Sequence, residues 1–284
     1  MGDWHEISGY QILGTLGKGA KSTIYEVRGQ DGKRYALKHV IKDSPSDQRF
    51  IDQAVSEYEL ARKFDSPYLR KGIKLIRVRK VIRTSEVVVI MELIEGLPLE
   101  QYQPGNMLEL IEIIAHSASG LHAMHNVGYV HADMKPNNIM VTPAREVKLI
   151  DFGQSCPVGT IKERIQGTPD YIAPEQVRRR AITPQTDVFN LGATIYWLLT
   201  KKHVPTLIPK ERAGAGVSLK SVERCVPPAE LNPKVPPALS SLVMDCVQHD
   251  MQDRPRSMAA VNDRLMIAQS QIRRGNGEQG VGAA

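Results

Sequence analysis

Cysteine is scarce in this sequence: Cys156, Cys225 and Cys246 stand far apart in a chain of 284 residues. An odd, scattered set without a C-x-x-C pair speaks against a disulfide framework and against a structural zinc site. Long apolar runs are missing too. The longest, "EVVVIMELI" (86–94) and "LGATIYWLLT" (191–200), are too short to cross a bilayer. The first residues, "MGDWHEISGYQIL", have no basic stretch followed by an apolar one, so no signal peptide is expected. Gly2 is followed by Glu6 where a myristoylation signal wants Ser or Thr. The expectation is a cytoplasmic protein with no membrane partner.

What is present is ordinary for a globular chain: 42% hydrophobic and 24% charged residues, enough for one large domain or two modest lobes. A formal net charge of +6 reads as solubility rather than as a nucleic-acid footprint. The most basic stretch, "RVRKVIR" (77–83), alternates with valine and isoleucine, which suits a strand with one solvated face. No nucleic-acid partner is expected.

The first ninety-odd residues alternate apolar and polar side chains around Gly-rich turns, and "QDGK" marks a hairpin. Residues 47–64 change to a helical period and open on Asp47, suited to capping. Two more strands run to about residue 94. Beyond "EGLP" the pattern becomes helical: 106–126, with Leu108, Ile111, Ile114, Ala115, Ala118 and Leu121 on one face, then 185–200, 238–250 and 256–271. These predict an N-terminal lobe over 1–94, a C-terminal helical lobe over 95–270, and a disordered tail over 271–284. The joint falls near 92–98. Residues 201–237, rich in Pro, Lys and Gly, predict an exposed loop with local helix.

The chemistry lies in three places. In "LGKGAKSTI" (16–24), Gly17 and Gly19 between strands would let backbone N–H groups approach a polyphosphate, although Ser22 stands where a third glycine is usual. Lys38 in "YALK" is a point charge for two phosphates and needs a carboxylate to hold it, for which Glu57 on the next helix is the candidate. In "YVHADMKPNNIMV" (129–141), Asp133, Lys135 and Asn138 occupy one loop, and Asp151 ends an apolar strand in "LIDFGQ". Phosphoryl transfer needs hard oxygen ligands for Mg²⁺, a positive charge on the moving group, and a carboxylate to orient the attacking hydroxyl. Asn138 and Asp151 are the oxygen ligands, Lys135 the charge and Asp133 the carboxylate.

These residues, with "GTPDYIAPE" (167–175), "DVFNLG" (187–192) and "DRP" (253–255), run in the order of the protein kinase signature. Over roughly residues 8–270 the chain resembles the eukaryotic-type (Hanks-like) serine/threonine protein kinase family, in the manner of a bare bacterial domain. The resemblance implies an α+β, bilobal protein kinase fold: a small antiparallel sheet with one regulatory helix, then a mainly helical lobe. It implies ATP as phosphate donor with Mg²⁺ or Mn²⁺, a protein Ser or Thr hydroxyl as acceptor, and room for a regulatory protein partner. The phosphate-covering loop would be Gly17, Lys18, Gly19, Ala20, Lys21 and Ser22. Leu16, Ile24 and Ala36 would cover the adenine, with Met140 beneath it and Met91 guarding the back of the pocket. Backbone around Glu92 and Ile94 would meet the adenine edge. Glu175 and Arg254 would form a buried ion pair, and Asp187 would brace the catalytic loop.

One departure bears on control. Many family members carry an arginine before the catalytic aspartate, where it pairs with a phosphate on the activation segment; here that residue is Ala132. Alanine removes no base, metal ligand or phosphate contact, so the expectation is different control rather than loss of activity. Ser155 and Thr160 are the candidate phosphosites, whereas Thr168 is expected to serve beside Asp133. Cys156 is expected to be a small apolar residue. Two other readings stand beside the enzyme: a pseudokinase that binds nucleotide without transferring phosphate, and a small-molecule phosphotransferase, against which "GTPDYIAPE" and "DRP" speak.

Overall fold

The computed structural model describes residues 6–19, 21–80, 83–205 and 225–278. The chain forms two compact units, Met1–Gly96 with Lys148–Gly153, and Leu97–Val147 with Gln154–Ala284. The fold is α+β, as the motif order implied.

The first unit is built on a six-stranded antiparallel sheet in the order β1-β2-β3-β4-β6-β5. Its strands are β1 (Glu6–Ile7), β2 (Tyr10–Lys18), β3 (Ser22–Arg28), β4 (Arg34–Ile41), β5 (Gly72–Lys80) and β6 (Arg83–Met91). The run "VVVIM" in β6 is apolar throughout because both faces of the strand are covered. Val87, Val89 and Met91 share one cluster with Ile51, Ala54 and Tyr58 of α1 (Gln48–Ala61), while Val88 and Ile90 share another with Ile7, Val27 and Leu37. A period of two thus sorts consecutive valines to opposite sides.

Asp47 does not cap α1 as expected. It lies in the right-handed helical region at the end of a 3-10 turn (Pro45–Asp47), and its Oδ2 accepts from the N–H groups of Asp43 and Ser44 at 3.1 and 2.9 Å. Pro45 supplies the turn's first residue, so the helix entry moved three residues upstream of the aspartate.

In the second unit, β7 (Leu97–Pro98) pairs with β9 (Ile139–Val141), and β8 (Tyr129–Val130) pairs with β11 (Cys156–Pro157). The strand β10 (Val147–Leu149) lies between β9 and β11 in sequence. α2 (Met107–Asn126) is capped by Asn106, whose Oδ1 accepts from Glu109 N–H at 2.9 Å. Its buried face is wider than expected: Leu110, Ile113, Ser117 and Met124 are buried along with Ile111, Ile114, Ala118 and Leu121, whereas Leu108 and Ala115 are only half-buried. The helix is packed by the helices at Met258–Glu278 and Pro184–Thr200, so one stripe does not satisfy it. The remaining helices are α3 (Pro174–Val177), α4 (Pro184–Thr200), α5 (Pro228–Leu231), α6 (Pro237–Cys246) and α7 (Met258–Glu278).

The expected tail begins too early. α7 continues to Glu278, through "RRGNGE", because extending an established helix costs far less than nucleating one. Within the expected loop at 201–237, residues 206–224 lie outside the described residues, and 228–231 form the short helix α5. No described helix is long and apolar enough to cross a membrane.

Candidate active site

Within the first unit, β2 and β3 meet at the Gly-rich turn. Gly17 stands opposite Ile24, after a register shift at Thr15/Gly17 that bends the strand. Gly19 N–H donates to Ser22 O at 2.7 Å, and a Cβ at Gly19 would lie 2.9 Å from Ser22 Oγ. A Cβ there would oblige the Ser22 hydroxyl to turn away, while the Ser22 carbonyl at 3.7 Å would stay in ordinary contact. Lys18 and Leu16 are exposed, and Ala20 lies outside the described residues. Lys21 turns onto Asp43 and Asp47, at 3.1 and 3.2 Å, so its charge stabilises the loop's flank rather than standing open for a phosphate.

Lys38 is paired in register with Ile24 on one side and Val89 on the other, and Ala36 with Met91. The strands therefore set the lysine beside the small, buried Ala36. The Lys38 ammonium donates to Glu57 Oε2 at 2.5 Å, and both side chains are withdrawn from water. The period of α1 accounts for the glutamate: Ile51, Ala54, Tyr58 and Ala61 anchor the helix against the sheet, and Glu57 lies on that buried face.

Sequence reasoning missed a second cation here. Arg70 is buried, with Nη2 3.8 Å from Glu57 Oε1, and burial pulls its guanidinium below the ordinary range while Glu57, Asp151 and Glu92 oppose that pull. Next to Lys71 in "YLRKG" it reads as surface charge, and no local signal separates the two.

Met91 is buried and borders a small cavity of about 10 Å³ that also touches Glu57, Arg70, Gly72 and Phe152. That is space for about one water molecule, so the methionine closes the interior behind the strand. Glu92 N–H donates to Lys71 O at 3.0 Å, and Ile94 O accepts from Gly96 N–H at 3.1 Å. Asp151 has φ of 65° and accepts from Gly153 N–H at 3.3 Å. Gly153 O in turn accepts from Gln53 Nε2 of α1 at 3.0 Å, and Phe152 packs edge-on against Phe64.

Within the second unit, the loop between β8 and β9 holds the remaining chemistry. Asp187, fully buried near the start of α4, accepts from His131 N–H at 2.9 Å and Ala132 N–H at 2.8 Å, and meets His125 Nε2 at 2.8 Å. Ala132 has φ of 61°, a conformation costing an L-residue about 1–2 kcal/mol. The pair of N–H bonds to Asp187 and the bond from Gln176 Nε2 to Ala132 O at 2.8 Å hold it there.

Asp133 Oδ1 accepts from the backbone N–H of Thr168 at 2.9 Å and from its hydroxyl at 2.8 Å; Oδ2 lies 3.1 Å from Lys135 Nζ. Lys135 closes the triangle by donating to Thr168 Oγ1 at 2.8 Å. Asn138 Nδ2 donates to Asp133 O at 2.8 Å, which leaves its Oδ1 as an acceptor. Met140, on β9, is half-buried.

Gln176 and Asn190 were not anticipated. Gln176 Oε1 accepts from Ala173 N–H at 2.9 Å and Asn190 Nδ2 at 3.0 Å, and Asn190 also donates to Tyr171 O at 2.7 Å. With the Gln176 bond to Ala132 O, they tie the segment before α3 to the loop between β8 and β9. Their signal was polarity among apolar neighbours in "PEQV" and "DVFNLG". Arg254 meets Glu175 in a buried two-pronged pair, Nη1 to Oε1 at 2.8 Å and Nη2 to Oε2 at 2.9 Å.

No group of three or more His, Cys, Asp or Glu suited to a metal occurs among the described residues. Asn138 and Asp151 are hard oxygen donors of the kind Mg²⁺ takes when phosphates and water complete its shell, so the donor chemistry fits that ion.

Residues 10–266 match the protein kinase domain family. The chain belongs to that family. It is 27% identical over 285 residues to the probable serine/threonine-protein kinase PknB of Lactococcus lactis, an alignment covering 94% of this chain and 43% of the relative. It is similar to the serine/threonine-protein kinase PknA of Mycobacterium tuberculosis, 28% identical with 82% of this chain and 55% of the relative covered. The serine/threonine-protein kinase PrkC of Bacillus subtilis is 27% identical, with 86% of this chain and 38% of the relative covered. This protein kinase domain thus spans about half or less of the length of the curated relatives it matches.

Proposed function

We propose that this chain is a serine/threonine protein kinase that moves the γ-phosphoryl group of ATP to a protein hydroxyl without needing a phosphate on its own activation segment. The observation that carries the reading is the triangle of Asp133, Lys135 and Thr168, with its contacts of 2.8 to 3.1 Å. It holds a carboxylate and an ammonium in fixed geometry, and phosphoryl transfer asks little more of a protein than such positioning and charge. The names of the relatives support serine and threonine as acceptors.

In this reading Asp133 orients the acceptor hydroxyl and takes its proton. The acceptor oxygen forms a bond to the γ-phosphorus, the bond from that phosphorus to the β–γ bridging oxygen breaks, and ADP leaves with the electron pair. Lys135 neutralises charge on the phosphoryl in flight, and Lys38, held by Glu57, positions the α- and β-phosphates. Asn138 and Asp151 would hold a divalent cation, which when bound spreads positive charge over the phosphates. Gly17 and Gly19, lacking side chains, let the backbone of their turn come close to the phosphates, Leu16, Ile24 and Ala36 would cover the base, and Met91 would limit its depth.

Independence from the phosphate switch is argued from Ala132. It is fully buried with Val130, Cys156 and Ile182, and offers nothing to a phosphate. The test is transfer of label from γ-labelled ATP to a generic basic protein, using protein made without other kinases, with Asp133→Ala as control. Wild type and the Ser155→Ala/Thr160→Ala double variant should both transfer label, at about 1–100 s⁻¹ with a good acceptor. Nucleotide binding with no transfer would instead support a pseudokinase, and activity only after phosphorylation of Ser155 or Thr160 would refute the independence.

A further inference from the structure

Residues 156–160 are held within the second unit by backbone hydrogen bonds and by the packing of Cys156 against Val130, Ala132 and Ile182. Cys156 and Pro157 pair with Val130 and Tyr129, Val158 N–H donates to Gly128 O, and Gly159 and Thr160 bond with Ile182 on the other side, at 2.7 to 2.9 Å. From Ile161 to Gln166 the anchoring is of another kind. Arg179 Nη1 donates to Glu163 O at 3.2 Å, Gln176 Nε2 donates to Gln166 O at 3.2 Å, and Lys162 turns inward. The Lys162 ammonium donates to Gln154 O at 2.5 Å and lies 3.4 Å from Gln154 Oε1. Its neighbours Ile161, Glu163, Arg164 and Ile165 are all exposed.

A half-buried lysine among exposed neighbours needs a compensating gain, because desolvating an ammonium is costly. The visible gain is the hydrogen bond to Gln154 O. Burial pulls the Lys162 amine below its ordinary value, and Cys156, Asp133 and Asp187 oppose that pull only in part.

We propose that Lys162 is a positioning residue: its ammonium, fastened to Gln154 O and Oε1, ties the start of the activation segment to its middle and so fixes the stretch that leads on to Thr168. The proposal rests on the kinase reading above and names its control.

The test compares Lys162→Met, of similar length but uncharged, with Lys162→Arg, which keeps the charge. With a generic basic protein as acceptor, Lys162→Met should lower kcat/KM for the acceptor by between about tenfold and a hundredfold, the cost of misplaced groups, with KM for ATP within about twofold of wild type. Amide exchange over 154–168 should quicken in Lys162→Met and nowhere else, and Lys162→Arg should recover most of both. Wild-type behaviour of Lys162→Met would overturn the proposal. So would equal damage in Lys162→Arg, or a rise in exchange spread over the whole chain. If wild type transfers no phosphate, the kinase reading fails, while the exchange comparison still decides whether Lys162 holds the segment.

Discussion

Thr168 gives Asp133 two hydrogen bonds to the same oxygen, Oδ1, one from its backbone N–H at 2.9 Å and one from its hydroxyl at 2.8 Å. The hydroxyl also accepts from Lys135 at 2.8 Å, so one oxygen atom orders both charged groups of the loop. Removing it leaves the backbone bond and the 3.1 Å contact of Lys135 with Asp133 Oδ2 in place, but takes away one of the two restraints on the lysine. Thr168→Ala should therefore reduce kcat by about 10- to 100-fold, by analogy with the cost of losing a positioning group, while Thr168→Ser retains most activity. Steady-state kinetics of both variants, with circular dichroism to check folding, decide this. A Thr168→Ala enzyme as fast as wild type would remove Thr168 from the mechanism.

The Arg254–Glu175 pair makes a different prediction, about stability. Arg254 also donates to the carbonyls of Gln248, Gln185 and His249, so the guanidinium is satisfied on every side without water. Arg254→Met would leave the Glu175 carboxylate buried and uncompensated, which costs about 3–5 kcal/mol. Glu175→Gln keeps a hydrogen-bonding shape and should cost less. Thermal unfolding should rank wild type above Glu175→Gln and Glu175→Gln above Arg254→Met. The reverse order would mean that packing around Phe189, whose ring lies 4.9 Å from the guanidinium, matters more than charge.

Legibility in the sequence followed how local each role is. Asp133, Lys135 and Asn138 share a loop of a few residues, so their offsets alone carry the chemistry, and the α+β class followed from the change of period after "EGLP". Lys38 and Glu57 are nineteen residues apart, yet each lies on a regular element whose period predicts its facing. Arg70 and Lys162 were opaque for the opposite reason. Each stands in a charged stretch indistinguishable from surface, and becomes significant only through tertiary packing, which buries Arg70 and half-buries Lys162. The entry to α1 was misjudged because an aspartate before a helix can serve the turn preceding it. The end of α7 was misjudged because glycines lower helix propensity without forbidding a helix that is already formed.

The N-terminus of α2 predicts a dependence of stability on pH. Glu109 is buried; its Oε1 accepts from the Tyr102 hydroxyl at 2.6 Å and its Oε2 from Gly105 N–H at 2.8 Å, with Arg145 3.4 Å from Oε1. These donors, the tyrosine hydroxyl foremost, hold the carboxyl below its ordinary value of 4.5. A carboxyl lowered on folding binds its proton more readily in the unfolded chain. Its stabilising contribution is therefore complete above 4.5 and is lost as the pH falls through the lower folded value. Glu109→Gln cannot take part in this. At pH 7 the variant should melt below wild type, and the difference should shrink as the solution is acidified beneath pH 4.5. Melting temperatures of the two proteins from pH 7 downward would show it, and a gap that stays constant with pH would assign the loss to the changed amide geometry instead of to charge.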